Sequence, residues 1–281
     1  MGAFLCRVLE CRFGSIRDWF EVLTADVQER GRSMSPKQEM TMRKQFIVAT
    51  VLQVVCLVTS ASAHYLWVTV DESSGKHGTT NIYFEGGAAP GDGRYLDPFL
   101  ESGKTWIRTV ANPEPTLIDT VEATAPNQRW LSAMLPASSP RSIDSYGKFG
   151  VYRYGKTDVL LHYYGRLLEV QSSDDLQTLA RSKQLDLDIV PKVAQGEMEL
   201  TVLWKGKPAA GRSVNVRGPK ASIGKFETNA SGIVHFPIGD AGIYAVRTSF
   251  EEEKSGKDGD DDYTLIRHNA TLRMALPVAE K

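Results

Sequence analysis

The stretch FETNASGIVHFPIGDAGIYAVRTSF, residues 226–250, carries the pattern that decides the fold. It reads as the end of one strand, an Asn-Ala-Ser-Gly turn at 229–232, a short strand, and a longer strand led by glycine. Upstream, the tight turn KGKP at 205–208 joins two further strands, and downstream YTLIRHNATLRMAL at 263–276 forms a last one. Short strands spaced by roughly 8–12 residues are typical of an antiparallel sandwich. The sequence therefore predicts a small β-sandwich over residues 195–281.

Strand signals also dominate the preceding part of the chain. In HYLWVTV, residues 64–70, apolar side chains alternate with others, as in a half-buried strand. Helical patterns occur only around 97–103 and 127–134. Pro and Gly interrupt the pattern in DIVPKVAQGE, residues 188–197, which marks a boundary. The prediction is an all-β protein with a first β domain at 64–190, followed in tandem by the second antiparallel β-sandwich.

Composition and cysteine usage exclude several classes of function. The net charge is -1, with 42% hydrophobic and 24% charged residues, so no basic excess points to nucleic acid as a partner. All three cysteines, Cys6, Cys11 and Cys56, precede residue 64. A chain that starts at residue 64 therefore has no disulfide, no zinc-cysteine site and no cysteine nucleophile.

The N-terminal quarter carries a secretory signal. Residues 46–58 form an apolar run preceded by Arg43 and Lys44, and Ala61 and Ala63 give an A-x-A cleavage pattern. The run is shorter than the about 20 residues of a membrane-spanning helix. We expect a signal peptide at 42–63, cleavage after Ala63, and a periplasmic or extracellular product that does not span a membrane. Residues 1–41 are interpreted as an over-extended start or a disordered leader, with a genuine cytoplasmic extension as the alternative.

Cleavage after Ala63 makes His64 a candidate metal ligand. An N-terminal histidine offers its α-amine and its imidazole, with ordinary pKa values near 8 and 6.5, so both are neutral donors near neutral pH. Together they chelate Cu(II) or Ni(II), which favour nitrogen ligands, and one further histidine completes a three-nitrogen site. Its candidates are His77, His162, His235 and His268, of which His162 and His268 are chosen. The alternative is that His64 merely follows the signal and the others are core histidines.

Several motifs resemble a poorly characterised bacterial exported family described as the periplasmic component of nickel uptake or cobalt transport. They are SASAHYLWV (60–68), NIYFEGGAAPGDG (81–93), GKPAAG (206–211), ASGIVHFPI (230–238), AGIYAVR (241–247) and DYTLIRHNATL (262–272). The last domain also resembles the prealbumin-like or immunoglobulin-like sandwiches found on exported proteins. The resemblance implies export, β-sandwich domains and the handling of a transition metal.

Three functions follow as expectations. The first is a metal-binding protein that captures a nickel, cobalt or copper ion through His64, His162 and His268 and delivers it to a membrane metal transporter. The second is a non-catalytic binding or adhesion module of the envelope, whose surfaces contact polysaccharide or protein. The third is a copper-dependent oxidase. After residue 64 the sequence contains no HExxH zinc motif and no GxSxG nucleophile elbow, so the two non-catalytic functions are preferred to the oxidase.

Overall fold

A computed structural model describes residues 64–276. The predictions about the leader, the signal peptide and the cleavage point fall on residues 1–63 and lie outside this range. The strands are β1 (Tyr65–Asp71), β2 (Thr79–Glu85), β3 (Lys104–Thr109), β4 (Thr116–Ile118), β5 (Val121–Ala125), β6 (Gln128–Met134), β7 (Arg141–Tyr154), β8 (Thr157–Glu169), β9 (Leu187–Ala194), β10 (Glu197–Trp204), β11 (Lys207–Pro208), β12 (Ser213–Arg217), β13 (Ser222–Glu227), β14 (Ile233–Pro237), β15 (Gly242–Glu252), β16 (Gly256–Asp258), β17 (Asp261–Tyr263) and β18 (Leu265–Leu276). The helices are α1 (Asp97–Ser102) and α2 (Ser173–Leu179).

The first sheet has the strand order β1-β2-β6-β5. β1 and β2 form an antiparallel pair in which Tyr65 lies opposite Glu85. Successive side chains of a strand point to opposite faces, and Leu66 and Val68 point into an N-terminal core. That core also contains Ile82, Phe84, Leu96, Phe99, Ile107, Leu131, Leu135, Ile143, Val159, Leu161, Tyr163 and Leu167.

The second sheet has eight strands in the order β13-β12-β15-β18-β8-β7-β3-β4. At its centre β8 and β18 run parallel, while the other strand pairs within residues 64–276 are antiparallel. β8 is buried along most of its length, as expected of a strand covered on both faces. β1 packs onto this centre, and the Thr271 hydroxyl donates to the Leu66 carbonyl at 2.6 Å. The all-β sandwich prediction is confirmed, with one parallel pair that an antiparallel sandwich does not include.

A third sheet, in which β10 pairs with β9, β11 and β14, covers the other face of the central strands. Apolar side chains of the two sheets form a C-terminal core. Its members are Tyr164, Leu168, Leu176, Leu179, Ala180, Leu187, Ile189, Met198, Leu200, Val202, Ala209, Val214, Val216, Val234, Phe236, Tyr244, Val246, Ala270, Leu272, Met274 and Leu276.

The two predicted domains, 64–190 and 195–281, share one sheet. Their boundary falls in the β9–β10 hairpin, where Gln195 and Gly196 have φ of 53° and 77°. The N-terminal and C-terminal cores are distinct, but β8 contributes Leu161 to the first and Tyr164 to the second. The division into tandem domains stays a prediction, and the β8–β18 pairing joins strands from both sides of it.

The helices agree only in part with the sequence patterns. The pattern at 97–103 corresponds to α1, whereas the helix predicted at 127–134 is wrong: β6 occupies that stretch and pairs with β2 and β5. Asn127, with φ of 59°, lies in the β5–β6 turn, and this left-handed conformation does not belong to an α-helix. α2 was not predicted, although Ser172 and Asp175 cap it reciprocally. Within residues 64–276 no helix is long and apolar enough to cross a membrane.

Candidate functional site

His64 lies at the start of β1, beside the end of β2. Its Nε2 is 3.7 Å from Glu85 Oε2, and the two side chains are 32% and 19% exposed. Its ring also contacts Phe84 at 5.6 Å and the edge of Tyr95 at 5.2 Å, measured between ring centroids. His64 is thus a partly exposed residue next to a carboxylate. Phe84 and Glu85 lie close to it because their strand, β2, pairs with β1.

A continuous group of aromatic side chains extends from His64 across the surface. We call Tyr95, Phe149, Tyr152 and Tyr154 the aromatic surface. Successive ring centroids along it are 6.3, 6.3 and 4.9 Å apart. The three tyrosines are 37%, 43% and 44% exposed. Large side chains this exposed normally mark an interaction site when they are contiguous.

Arginines border the aromatic surface at both ends. The Arg94 guanidinium lies 6.0 Å from the Tyr95 ring and the Arg267 guanidinium 4.9 Å from the Tyr154 ring. Both arginines also pair with carboxylates, Arg94 with Asp92 and Arg267 with Glu251. The surface therefore combines apolar ring faces with hydrogen-bond donors at its margins, without a large excess of either charge.

The other two predicted ligands, His162 and His268, lie together. They are register partners on β8 and β18, and their rings stack with centroids 5.0 Å apart. Nδ1 of His162 is 2.9 Å from the Tyr146 hydroxyl, and Nδ1 of His268 is 3.0 Å from the Tyr164 hydroxyl. Trp204 packs on His268 at 4.2 Å between ring centroids. The pair is therefore enclosed by aromatic rings.

Hydrogen bonds and burial fix the neutral state of this pair. Nε2 of His268 lies 3.1 Å from Glu252 Oε1, and because a carboxylate only accepts, this nitrogen carries the proton while Nδ1 accepts from Tyr164. Burial, with the nearby His162 as a second cause, lowers the pKa of His268 to about 4. Burial also lowers the pKa of His162. Both ring nitrogens of His268 are thus engaged, so this histidine offers no free metal donor.

His64 and the histidine pair lie on opposite faces of the eight-stranded sheet. Leu161 and Tyr163 of β8 pack in the same core as Leu66, which adjoins His64. His162 sits between them in sequence and therefore points to the other face. The expected grouping of His64 with His162 or His268 is not formed in this structure, because β1 packs on the face that those two histidines do not occupy. Each remains a metal ligand only by prediction.

The remaining histidines are dispersed as well. His235 is 53% exposed on β14, with Nε2 4.0 Å from Glu199 Oε2, and His77 is partly buried in the β1–β2 turn. Among residues 64–276 no group of three or more His, Cys, Asp or Glu side chains could hold a metal ion.

The aromatic surface was missed from sequence, although part of its signal was present. In GVYRYG, residues 150–155, Tyr152 and Tyr154 are two apart and so share a face of β7. Tyr95 and Phe149 come from separate segments, and Phe149 lies next to β2 through its packing against Phe84, 5.6 Å away between ring centroids. That contact is not visible in any local pattern.

Comparisons with known proteins give little. No family model and no curated protein matches the chain. Among solved structures, a BSP domain of a biofilm-associated protein is similar over 76% of this chain and 52% of its own, with 10% identity and a TM-score of 0.19. The FN1–FN3 domains of chicken CNTN1 are similar over 77% and 66%, with 7% identity and a TM-score of 0.18. The chain thus spans about half of the first and less than two thirds of the second, and scores this low carry no argument.

Proposed function

We propose that the chain is an exported, non-catalytic binding module that contacts envelope polysaccharide through the aromatic surface beside His64. The observation that carries the proposal is the contiguity of three tyrosines, each more than a third exposed, with the partly exposed His64 ring. Burying such side chains in an interface removes apolar area from water.

The chemistry of the surface favours a sugar polymer over an apolar partner. Tyrosine presents an apolar ring with a polar hydroxyl at its tip, which matches the apolar C–H faces and hydroxyl edges of sugar rings. Arg94 and Arg267 add donors at the margins. A protein partner through the same surface is the alternative that the experiment distinguishes.

Affinity electrophoresis or calorimetry against purified envelope polysaccharides tests the proposal. Replacing both Tyr152 and Tyr154 by Ala should weaken binding at least tenfold, since truncation of an interface aromatic commonly costs more than about 1 kcal/mol. Ile243→Ala is the matched control, because Ile243 is 42% exposed and lies on β15, away from the aromatic surface. Binding that is unchanged in the double variant would reject the proposal, as would equal losses in both variants. Binding to an envelope protein and to no polysaccharide would identify a protein as the partner of the aromatic surface.

A second candidate is metal binding at His64 alone. It is favoured by the carboxylate of Glu85, 3.7 Å from Nε2 of His64, and by Asp92, whose pKa is lowered mainly by Arg94 and to a smaller extent by His64. If cleavage exposes the α-amine, two nitrogens and a carboxylate oxygen would converge there and suit Cu(II), Ni(II) or Co(II). Delivery to a membrane metal transporter would be the role of such a site.

Titration of the processed protein with Ni(II) and Cu(II) tests this candidate. One extra residue placed ahead of His64 moves the α-amine out of reach, so affinity should fall by at least tenfold. Glu85→Gln should weaken binding less, because it keeps both nitrogens. Equal affinity in the processed and extended forms would exclude the N-terminal site, whatever the polysaccharide experiment shows.

A further inference from the structure

A cavity of about 610 Å³ lies at a different place in the fold, between the segment after α2 and the β10–β11 turn. Arg108 of β3 lines it from inside, and Arg181, Lys183 and Lys205 line it towards solvent. The cavity has four basic side chains and two acidic ones, Asp186 and Asp188, in its lining. Neither of the proposed functions uses it.

Arg108 is the feature that requires an explanation. It is 2% exposed, and its buried Nε has no hydrogen-bond partner in the described part of the chain. Nη2 donates at 3.0 Å to the Leu179 carbonyl at the end of α2, which also accepts from Nη2 of Arg166. Burial also lowers the pKa of this guanidinium. A buried charge of this kind is costly unless an opposite charge contacts it.

The nearest buried carboxylates serve another arginine. Asp144 and Asp188 lie 3.0 and 2.9 Å from Arg166. The remaining oxygens of the two carboxylates accept from Ser182, through its hydroxyl and its backbone N–H. The negative charges of Asp144 and Asp188 stabilise the charged form of Arg108 electrostatically. In the described part of the chain, however, neither carboxylate forms an ion pair with it.

The outer lining provides a second unpaired arginine. Lys183 pairs with Glu114, and Lys205 lies 3.9 Å from Glu252. Arg181 is exposed, donates to the Gly206 carbonyl at 3.4 Å, and has no carboxylate partner among the described residues. The cavity therefore has one unpaired guanidinium at its base and one at its mouth.

We infer that this cavity is a binding site for an oxyanion, a carboxylate or a phosphate, held between Arg108 and Arg181. A planar guanidinium presents its donors as a fork that fits both groups, which is why arginine is preferred for them. Arg108 would gain the charged partner that it lacks, and Ser182 and Gln184 lie in the same lining to bond further oxygens. The cavity is within the size range of sites for small ligands.

Titration of the purified protein at pH 7 and low salt, followed by NMR or calorimetry, tests the inference. The probes are inorganic phosphate, D-glucuronate, and neutral D-glucose as the uncharged counterpart. Saturable binding of phosphate or glucuronate, weakened by added salt, is expected without binding of glucose. Binding of glucuronate alone would identify a carboxylate ligand, and binding of phosphate alone a phosphate ligand.

Two variants locate the site. Arg181→Gln should weaken oxyanion binding about tenfold, and because Arg181 is exposed the variant should fold normally. Arg217→Gln is the matched control, since it also removes one exposed arginine but lies outside the cavity lining. Arg108→Lys keeps the charge and removes the fork, so it should also weaken binding if it folds. No saturable binding of either anion, or equal losses in the Arg181 and Arg217 variants, would overturn the inference.

Discussion

His162 and His268 stack with their planes 14° apart because they occupy paired positions on the two parallel strands at the centre of the sheet. In such a pair the partners point to the same face, so an inward side chain on β8 meets an inward side chain on β18. Two imidazoles at this distance cannot both be protonated without repulsion, and burial opposes either charge. The pair is therefore a neutral structural element at neutral pH that becomes unfavourable in acid.

Stability should consequently fall when the pH drops below the ordinary pKa of histidine. The pKa of His268 is about 4 in the fold and near 6.5 in the unfolded chain. Between these values the unfolded chain binds the proton and the fold does not, so this contribution is complete above about pH 6.5 and is lost towards pH 4. Urea unfolding should show a loss on the order of 2 kcal/mol between pH 7.5 and 4.5 that His268→Gln lacks.

His235→Gln provides the control for that measurement. His235 is 53% exposed, so its removal should leave the pH dependence of the free energy of unfolding as in the parent. His162 acts in the same direction as His268, because burial lowers its pKa too. The hypothesis of a neutral pair would be contradicted if the free energy of unfolding changed between pH 7.5 and 4.5 by the same amount in the parent and in the His268→Gln variant.

Tyr164→Phe should destabilise the fold by about 1–3 kcal/mol, because it removes the donor to Nδ1 of the buried His268 and leaves that nitrogen unsatisfied. Thermal or urea unfolding at pH 7.5 measures the loss. Tyr152→Phe removes an equivalent hydroxyl from a side chain that is 43% exposed and should change stability by less than about 0.5 kcal/mol. Similar values for the two variants would mean that the Tyr164 hydroxyl does not support His268.

The sequence predicted the strands well because alternation is a local property. GIVHFP has the period of two that β14 shows, whereas in β1 Trp67 is buried together with Leu66 and Val68. It also predicted that His268 points inwards, since its neighbours two residues away, Ile266 and Ala270, are buried with it. The parallel β8–β18 pairing was not predictable in this way, because it joins segments about a hundred residues apart and no periodicity encodes which strands become neighbours.

The same limit explains the site predictions. His162 and His268 were chosen as partners of His64, whereas the structure places them against each other. Placing His64 relative to them required knowledge of which face β1 covers. That face is set by long-range packing, such as the bond from Thr271 to the Leu66 carbonyl. The unpaired Arg108 was equally hidden, since its lack of a partner depends on where α2 ends.

Arg166→Met should cost about 3–5 kcal/mol of stability, because it leaves the carboxylates of Asp144 and Asp188, 1% and 4% exposed, buried without their partner. Burial already raises the pKa of Asp188, so its carboxyl would resist ionisation further without Arg166. Arg153→Met is the control, since Arg153 pairs with Asp158 but is 70% exposed, and should cost less than about 1 kcal/mol. Chemical denaturation at pH 7 measures both, and equal small losses would show that Arg166 is dispensable to the buried carboxylates.

Gly165→Ala tests how β1 is held against the central strands. A Cβ at position 165 would lie 2.9 Å from the Leu66 carbonyl oxygen and 3.1 Å from a methyl of Val68, so β1 has to shift. We expect a loss of about 1–3 kcal/mol, typical of overpacking, with faster amide hydrogen exchange in β1. Gly239→Ala is the matched control, because its Cβ would meet no atom within 4 Å.

The outcome for β1 bears on the binding surface as well. β1 carries His64 to Tyr95, so a displaced β1 in the Gly165 variant should weaken polysaccharide binding while the oxyanion cavity, which β1 does not line, keeps its affinity. Hydrogen exchange by mass spectrometry and the two binding measurements on the same variant separate these effects. If hydrogen exchange in β1 is unchanged and Gly165→Ala loses no more stability than Gly239→Ala, the close approach of Gly165 to Leu66 does not fix the position of β1.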